Sequence, residues 1–172
     1  GHEALYADLV AMGWRLDRAA AVVHTFRTES LYASADHAEG GGPSVGRLQP
    51  GVALTVLGRD GEAIRVRLEG WREEGVDGAI HALMGKRILS ATLSPGATEL
   101  VGRGETARDD EGLAWRRVSA NFWIRPGGVV ADAAKIWRYG AALNVADCSG
   151  CHALAEPEQH RAREWIAILQ RM

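Results

Sequence analysis

Residues 63–71, "AIRVRLEGW", alternate strictly: Ile64, Val66 and Leu68 fall on one side, Arg65, Arg67 and Glu69 on the other. Same-face residues of a helix recur every three or four positions, so a period of two cannot bury one helical face. It fits an antiparallel strand with one side in a core and the other in water. The flanks agree. "VALTVLGRDGEA" supplies a preceding strand and an Asp60-Gly61 turn, a strong hairpin signal. "AIHALMGKRILSATL" reads as strand, Gly85-Lys86 turn, strand.

A weaker echo follows. "VRLEGW" (66–71) and "VSANFW" (118–123) both place a tryptophan five residues after a valine, each behind an apolar strand and a charged turn, the second turn being "TARDDEG" (106–112). This predicts an α+β fold whose centre, residues 46–130, is an SH3-like β region, either two small barrels or one barrel with a partial repeat. A single meandering sheet is the alternative. Trp71, Trp115, Trp123 and Trp137 are expected as core anchors.

Residues 1–45 read as a helical segment and a connector. Leu5, Leu9 and Met12, then Val22 and Phe26, lie at helical spacing over residues 3–27, with Gly13 as a break, and "HAEGGGPS" (37–44) lacks any periodicity. Gly1-His2 is read as the remnant of a cleaved tag. Residues 131–172 return to helix. Ala133, Ile136, Trp137 and Gly140 share a face; Pro157 opens a last helix with Glu158 near its positive end, and Trp165, Ile166 and Leu169 form its buried stripe.

Composition narrows the function. A chain of 172 residues with 47% hydrophobic and 24% charged content supports one sizeable core. A net charge of −2 offers no general attraction to nucleic acid or an acidic membrane surface. No apolar run approaches the roughly 20 residues of a membrane helix, the best being Ala19–Val23. No basic-then-apolar leader is present, so an export signal or anchor is expected elsewhere in a parent chain. The acidic runs at 73–74 and 109–111 fall in predicted turns, and nothing resembles a Ser/His/Asp set or a working pair of carboxylates, so an enzyme is not expected.

The two cysteines exclude a disulfide scaffold and sit together in "DCSGCH", residues 147–152. If residues 147–154 are helical, Cys148, Cys151 and His152 share one face at i, i+3 and i+4. That arrangement suits one covalent haem c: two thioethers from Cys148 and Cys151, and the His152 imidazole beneath the iron as proximal ligand. A zinc site using Cys148, Cys151, His152 and His160 would crowd three ligands into five residues. A redox dithiol would follow a strand, and two inert thiols have no evident reason to be buried here.

The chain from about Leu31 onward resembles the C-terminal monohaem domain of the pentahaem c-type cytochromes of TMAO and DMSO reductase systems (the TorC/DorC type). The resemblance rests on "GRLQPGVALTVLGRDGEAIRVRLEGW", "GKRILSATL", "WRRVSANFW", "IWRYG" and "DCSGCHAL" followed by "EWIAILQRM". It implies a periplasmic domain that relays electrons from a membrane-anchored, quinol-oxidising multihaem module of the same parent chain to a periplasmic molybdopterin reductase. The alternative is a haem-containing SH3-like module for partner binding or redox sensing.

A low-spin haem takes a sixth ligand, with Met12, Met84, Met172, His24, His37, His81 and His160 available. Met172 ranks first: at about 1.5 Å per residue the stretch from Glu158 spans about 20 Å, enough to return a thioether to the far face. His160 and Met84 come next.

Overall fold

The computed structural model describes residues 1–150 and 153–171, with side chains throughout except at 98–100, 162 and 163. Helix α1 (His2–Trp14) leads into β1 (Val22–Thr25), β2 (Glu29–Leu31) and a short helix α2 (Ala35–Gly40). Then come β3 (Gly46–Leu48), β4 (Ala53–Asp60), β5 (Ala63–Glu73), β6 (Ala79–His81), β7 (Leu89–Leu93), β8 (Val101–Arg108), β9 (Ala114–Ile124) and β10 (Val129–Val130). Helices α3 (Ala133–Cys148) and α4 (Ala162–Leu169) close the described chain.

The ten strands among the described residues join one antiparallel sheet, ordered β10-β1-β4-β5-β6-β7-β3-β2, with β9 along the other edge of β5 and β8 beyond it. Strand β5 is long enough to serve two partners on one edge: β4 meets its first half, and Trp71 near its end pairs with His81 of β6. The sheet therefore curls into a half-barrel. One bridge ties the curl back, since Tyr32 N donates to the Trp123 carbonyl at 2.9 Å and Trp123 N returns the bond at 2.8 Å.

The alternation that opened the sequence is the core. Ile64, Val66 and Leu68 face inward, opposite Ile124, Phe122 and Ala120 of β9, and all six are buried. Two residues further on, Gly70 lies opposite Val118, where a Cβ would come within 2.6 Å of the His81 carbonyl oxygen. Only glycine lets β6 approach β5 so closely. Gly61, at φ 58°, makes the predicted Asp60-Gly61 turn, and Gly85, at φ 71°, lies in the β6–β7 turn. Asp109 organises the β8–β9 turn by accepting from the Glu111 and Leu113 amides at 2.9 Å each, and from the Trp115 indole at 2.7 Å. Arg72 continues the inward row; its Nη1 lies 3.8 Å from Asp77, while Nε and Nη2 are buried without a partner among the described residues.

Several expectations change. The two tryptophan-ending segments are not separate barrels: they lie on β5 and β9, neighbours in one sheet. Helix stops at Trp14, and Val22–Thr25 is a strand between β4 and β10, anchored where Thr25 Oγ1 donates to the Gln49 carbonyl at 2.7 Å and accepts from Val52 N at 2.9 Å. Gly13 does not break α1; its missing side chain lets the helix rest on Gly127, whose oxygen would lie 2.5 Å from a Cβ. Residues 28–45 are not a plain connector, for they hold β2 and α2, the latter capped by Ser34. Of the four expected anchors Trp115 is fully buried, Trp71 and Trp123 are half-buried, and Trp137 is 71% exposed.

Trp115→Ala should therefore cost about 3–5 kcal/mol in urea unfolding, with Trp71→Ala and Trp123→Ala costing less. His81, edge-on to Trp115 with ring centroids 5.4 Å apart, is held below its ordinary 6.5 by burial, against the opposing charge of Glu73. The unfolded chain then takes up this proton more readily, so the associated stability is present above about pH 6.5 and is lost as pH falls below that value. Thermal melting should decline from about pH 7 to about pH 5.5 more steeply in the parent chain than in His81→Phe.

Candidate functional site

Helix α3 carries the first cysteine of the motif. The Asp132 carboxylate caps it, accepting from Ala134 N at 2.9 Å. Its first turns lean on α1, where Ile136 and Tyr139 pack against the cluster of Leu9, Phe26 and Val130; the Tyr139 and Tyr6 rings are 5.4 Å apart. Beyond that contact the helix loses its cover, and no α3 residue is fully buried.

Cys148 is the last residue of α3 and is half-buried. It lies on the wall of a cavity of about 300 Å³ shared with Asn144, Leu154, Ala155, Pro157, Trp165 and Leu169. Trp165 is held by an indole bond to the Pro157 carbonyl at 3.1 Å, and α4 is started by Arg161 N donating to the Glu164 carboxylate at 2.9 Å. A thiol at the rim of an apolar cavity suits an apolar group attached through sulfur. The surroundings fit the same demand: Trp137, Val145, Leu154, Ile166 and Leu169 are exposed large apolar side chains in this C-terminal stretch. The segment has too little apolar cover of its own, which a planar apolar group would supply.

Cys151, His152 and Met172 lie outside the described residues. Helix α3 ends at Cys148, Ser149 and Gly150 form a turn and Ala153–Glu156 are irregular; the helical face expected for Cys148, Cys151 and His152 falls on residues outside the described ones. The last helix begins at Ala162, with Pro157–Gln159 forming a separate 3₁₀ turn. Its expected buried stripe is open instead, with Ile166 50% and Leu169 60% exposed.

None of Met12, His24, His37, His81, Met84 or His160 lines the Cys148 cavity. His160 is exposed and stands edge-on to Trp165, with ring centroids 5.1 Å apart. Met84, half-buried in the β6–β7 turn, lines another cavity of about 900 Å³ with Ile88, Asp110 and Arg161. Helix α4 has one face on each side: Trp165 and Leu169 toward Cys148, Ile166 and Gln170 toward the turn that holds Gly85 and Arg87. Sequence reasoning missed Asn144, Leu154 and Ala155 as cavity walls, since they follow no common period; Trp165 and Leu169, at i and i+4, carried the readable signal.

The family described as the TorC third cytochrome c domain matches residues 17–129, the sheet region; the cysteine motif lies beyond the matched stretch. The cytochrome c-type protein TorC of Escherichia coli O157:H7 is 31% identical over 137 residues, covering 78% of this chain and 35% of that protein. The cytochrome c-type protein TorY of Haemophilus influenzae is 29% identical over 127 residues, 73% of this chain and 34% of that protein. The chain thus spans about a third of the length of the curated relatives it matches. No solved structure matches it. Among the described residues, no helix is long and apolar enough to cross a membrane.

Without a bound group, the Cys148 cavity should take up an apolar dye. Its fluorescence should fall severalfold in Trp165→Ala, while melting of the sheet followed by circular dichroism stays unchanged.

Proposed function

This chain belongs to the family of the TorC third cytochrome c domain, and from that premise we propose that it is an electron-transfer module carrying one covalent haem c. The observation that carries the reading is the Cys148 thiol, first of the C-x-x-C-H motif, on the wall of a largely apolar cavity lined by Leu154, Pro157, Trp165 and Leu169. Cys148 and Cys151 would supply the two thioether sulfurs and His152 a nitrogen ligand to the iron. The bound iron supplies one-electron exchange. The chain's own part is to hold the group through sulfur, to wall it with the Trp165 and Leu169 side chains, and to fix the approach of α3 through the Asp132 cap and the Tyr139 packing.

Met172 is assigned as the distal ligand. At about 1.5 Å per residue the stretch from Glu158 spans about 20 Å, enough to return its thioether to the far face of the group; Met172 itself lies outside the described residues. His160, turned to the Trp165 ring, and Met84, across α4, remain the next candidates, and neither lines the Cys148 cavity. The curl of short strands with its Tyr32–Trp123 closure supports reading the sheet as one SH3-like barrel that serves as scaffold. The parent protein, by this reading, is anchored at the inner membrane, faces the periplasm, takes electrons from its own multihaem module and delivers them to a molybdopterin reductase acting on TMAO or DMSO. The chain itself is no enzyme.

Produced with c-type maturation, the protein should keep its Soret absorbance after acid-acetone extraction. Cys148→Ala with Cys151→Ala should release the colour. Colour extracted from the parent chain, or one bound zinc per chain, overturns the reading. His152→Ala should abolish oxidation by the reductase, and Met172→Ala should turn a low-spin spectrum high-spin. An unchanged spectrum in Met172→Ala moves the distal role to His160 or Met84.

A further inference from the structure

The outer side of the β5–β9 ladder is as ordered as the inner one, and it is not an ordinary solvated face. Arg65 stands opposite Trp123, Arg67 opposite Asn121, Glu69 opposite Ser119, and Trp71 opposite Arg117. The arginines, Glu69 and Asn121 are exposed and both tryptophans are half-exposed. The charges are barely engaged within the chain. Arg67 reaches Asn121 only at 3.4 Å, and Arg117 reaches Glu69 only at 4.0 Å. On one flank Gly102, exposed and opposite Ser119, adds no side chain to the surface, which stays low there. Arg65, Arg67 and Arg117 against Glu69, with Glu73 further along the row paired to Arg87 at 3.6 Å, give this stretch a positive balance within a chain whose net charge is −2.

We propose that this face docks an acidic protein surface, that of the separate electron acceptor; the proposal rests on the electron-relay reading above. Tryptophan and arginine are the residues that dominate binding energy at protein interfaces, and here they sit directly opposite each other on a rigid sheet. The charge balance selects a partner presenting aspartate and glutamate. It also favours a separate molecule over the module tethered in the same parent chain. A tether already supplies a high effective concentration, whereas a diffusing partner gains its encounter rate from electrostatic steering. The turn with Asp109, Asp110 and Glu111 carries the opposite sign, so the two features together orient the approach. Single-stranded nucleic acid also suits arginine with exposed aromatics, but a net-negative chain with so few cations makes a poor phosphate binder.

The test compares the haem-loaded chain, Arg65→Glu/Arg67→Glu, and a matched charge reversal off this face, Arg18→Glu/Arg47→Glu. Association with purified TMAO reductase is measured by surface plasmon resonance at several salt concentrations, and haem oxidation separately by stopped flow. Melting temperature and Soret spectrum confirm that each variant is folded and loaded. The expected result is an on-rate lowered about tenfold or more at low salt in Arg65→Glu/Arg67→Glu, with a flatter salt dependence and no comparable loss in the control. Equal on-rates in the two reversals overturn the proposal, as does failure of the parent chain to bind the reductase. Tighter binding to a single-stranded oligonucleotide overturns it in favour of nucleic acid. Arginine-dependent binding without haem oxidation upholds the docking face and overturns the relay reading instead.

Discussion

The pairing of β5 with β9 sets the terms for the rest of the molecule. The two strands run antiparallel from Ile64 opposite Ile124 to Glu73 opposite Trp115, each eleven residues long. A side-chain period of two leaves no freedom in such a ladder, for a slip of one residue would turn Ile64, Val66 and Leu68 to water and Arg65 and Arg67 into the core. Everything else attaches to this register. Strands β4 and β6 share one edge of β5, β8 and Tyr32 share the free edge of β9, and the curl follows from two long strands each serving two shorter partners.

That ladder was also the most legible part of the sequence, because one physical signal, burial of one face, fixed both strand type and register. The hairpin at Asp60-Gly61 was readable for an equally local reason, a left-handed glycine. What escaped was decided at long range. Val22–Thr25 carries apolar residues that suit a helix face as well as a strand, and its state is settled by β4 and β10, which lie far along the chain. The tryptophan echo was real as sequence and misleading as topology. Residues repeating at similar spacing became neighbours in one sheet, since antiparallel partners bury matching sides and so come to look alike. Trp137 was misread because helical spacing shows that a face is apolar without showing what covers it. At the site, the cavity walls came from a helix end, an irregular stretch and a second helix, which share no period.

The sheet and the C-terminal helices differ in how they are held. The sheet has its own interior, in which Phe122, Leu48, Leu54 and Ile80 are all fully buried, while Trp115 is buried on the other face beside His81. The C-terminal stretch is held at one end, through Asp132, Ile136 and Tyr139, and has exposed apolar groups at the other. Segments with few buried apolar contacts open at lower free energy than the core they hang from. On the proposed function, attachment of the apolar group is then the event that completes this segment, and a ligand bound only by the ordered form stabilises it by mass action.

This division bears on where a partner can engage. A surface that must be recognised before each transfer is best carried by the rigid part, since ordering a mobile surface on binding costs affinity each time. The outer side of β5 and β9 meets that condition, because its Arg65, Arg67, Trp71 and Trp123 are fixed by the very alternation that buries Ile64, Val66 and Leu68 on the other side. A single constraint, one residue in and the next out, thus builds the core and aligns the charged and aromatic groups of the opposite face.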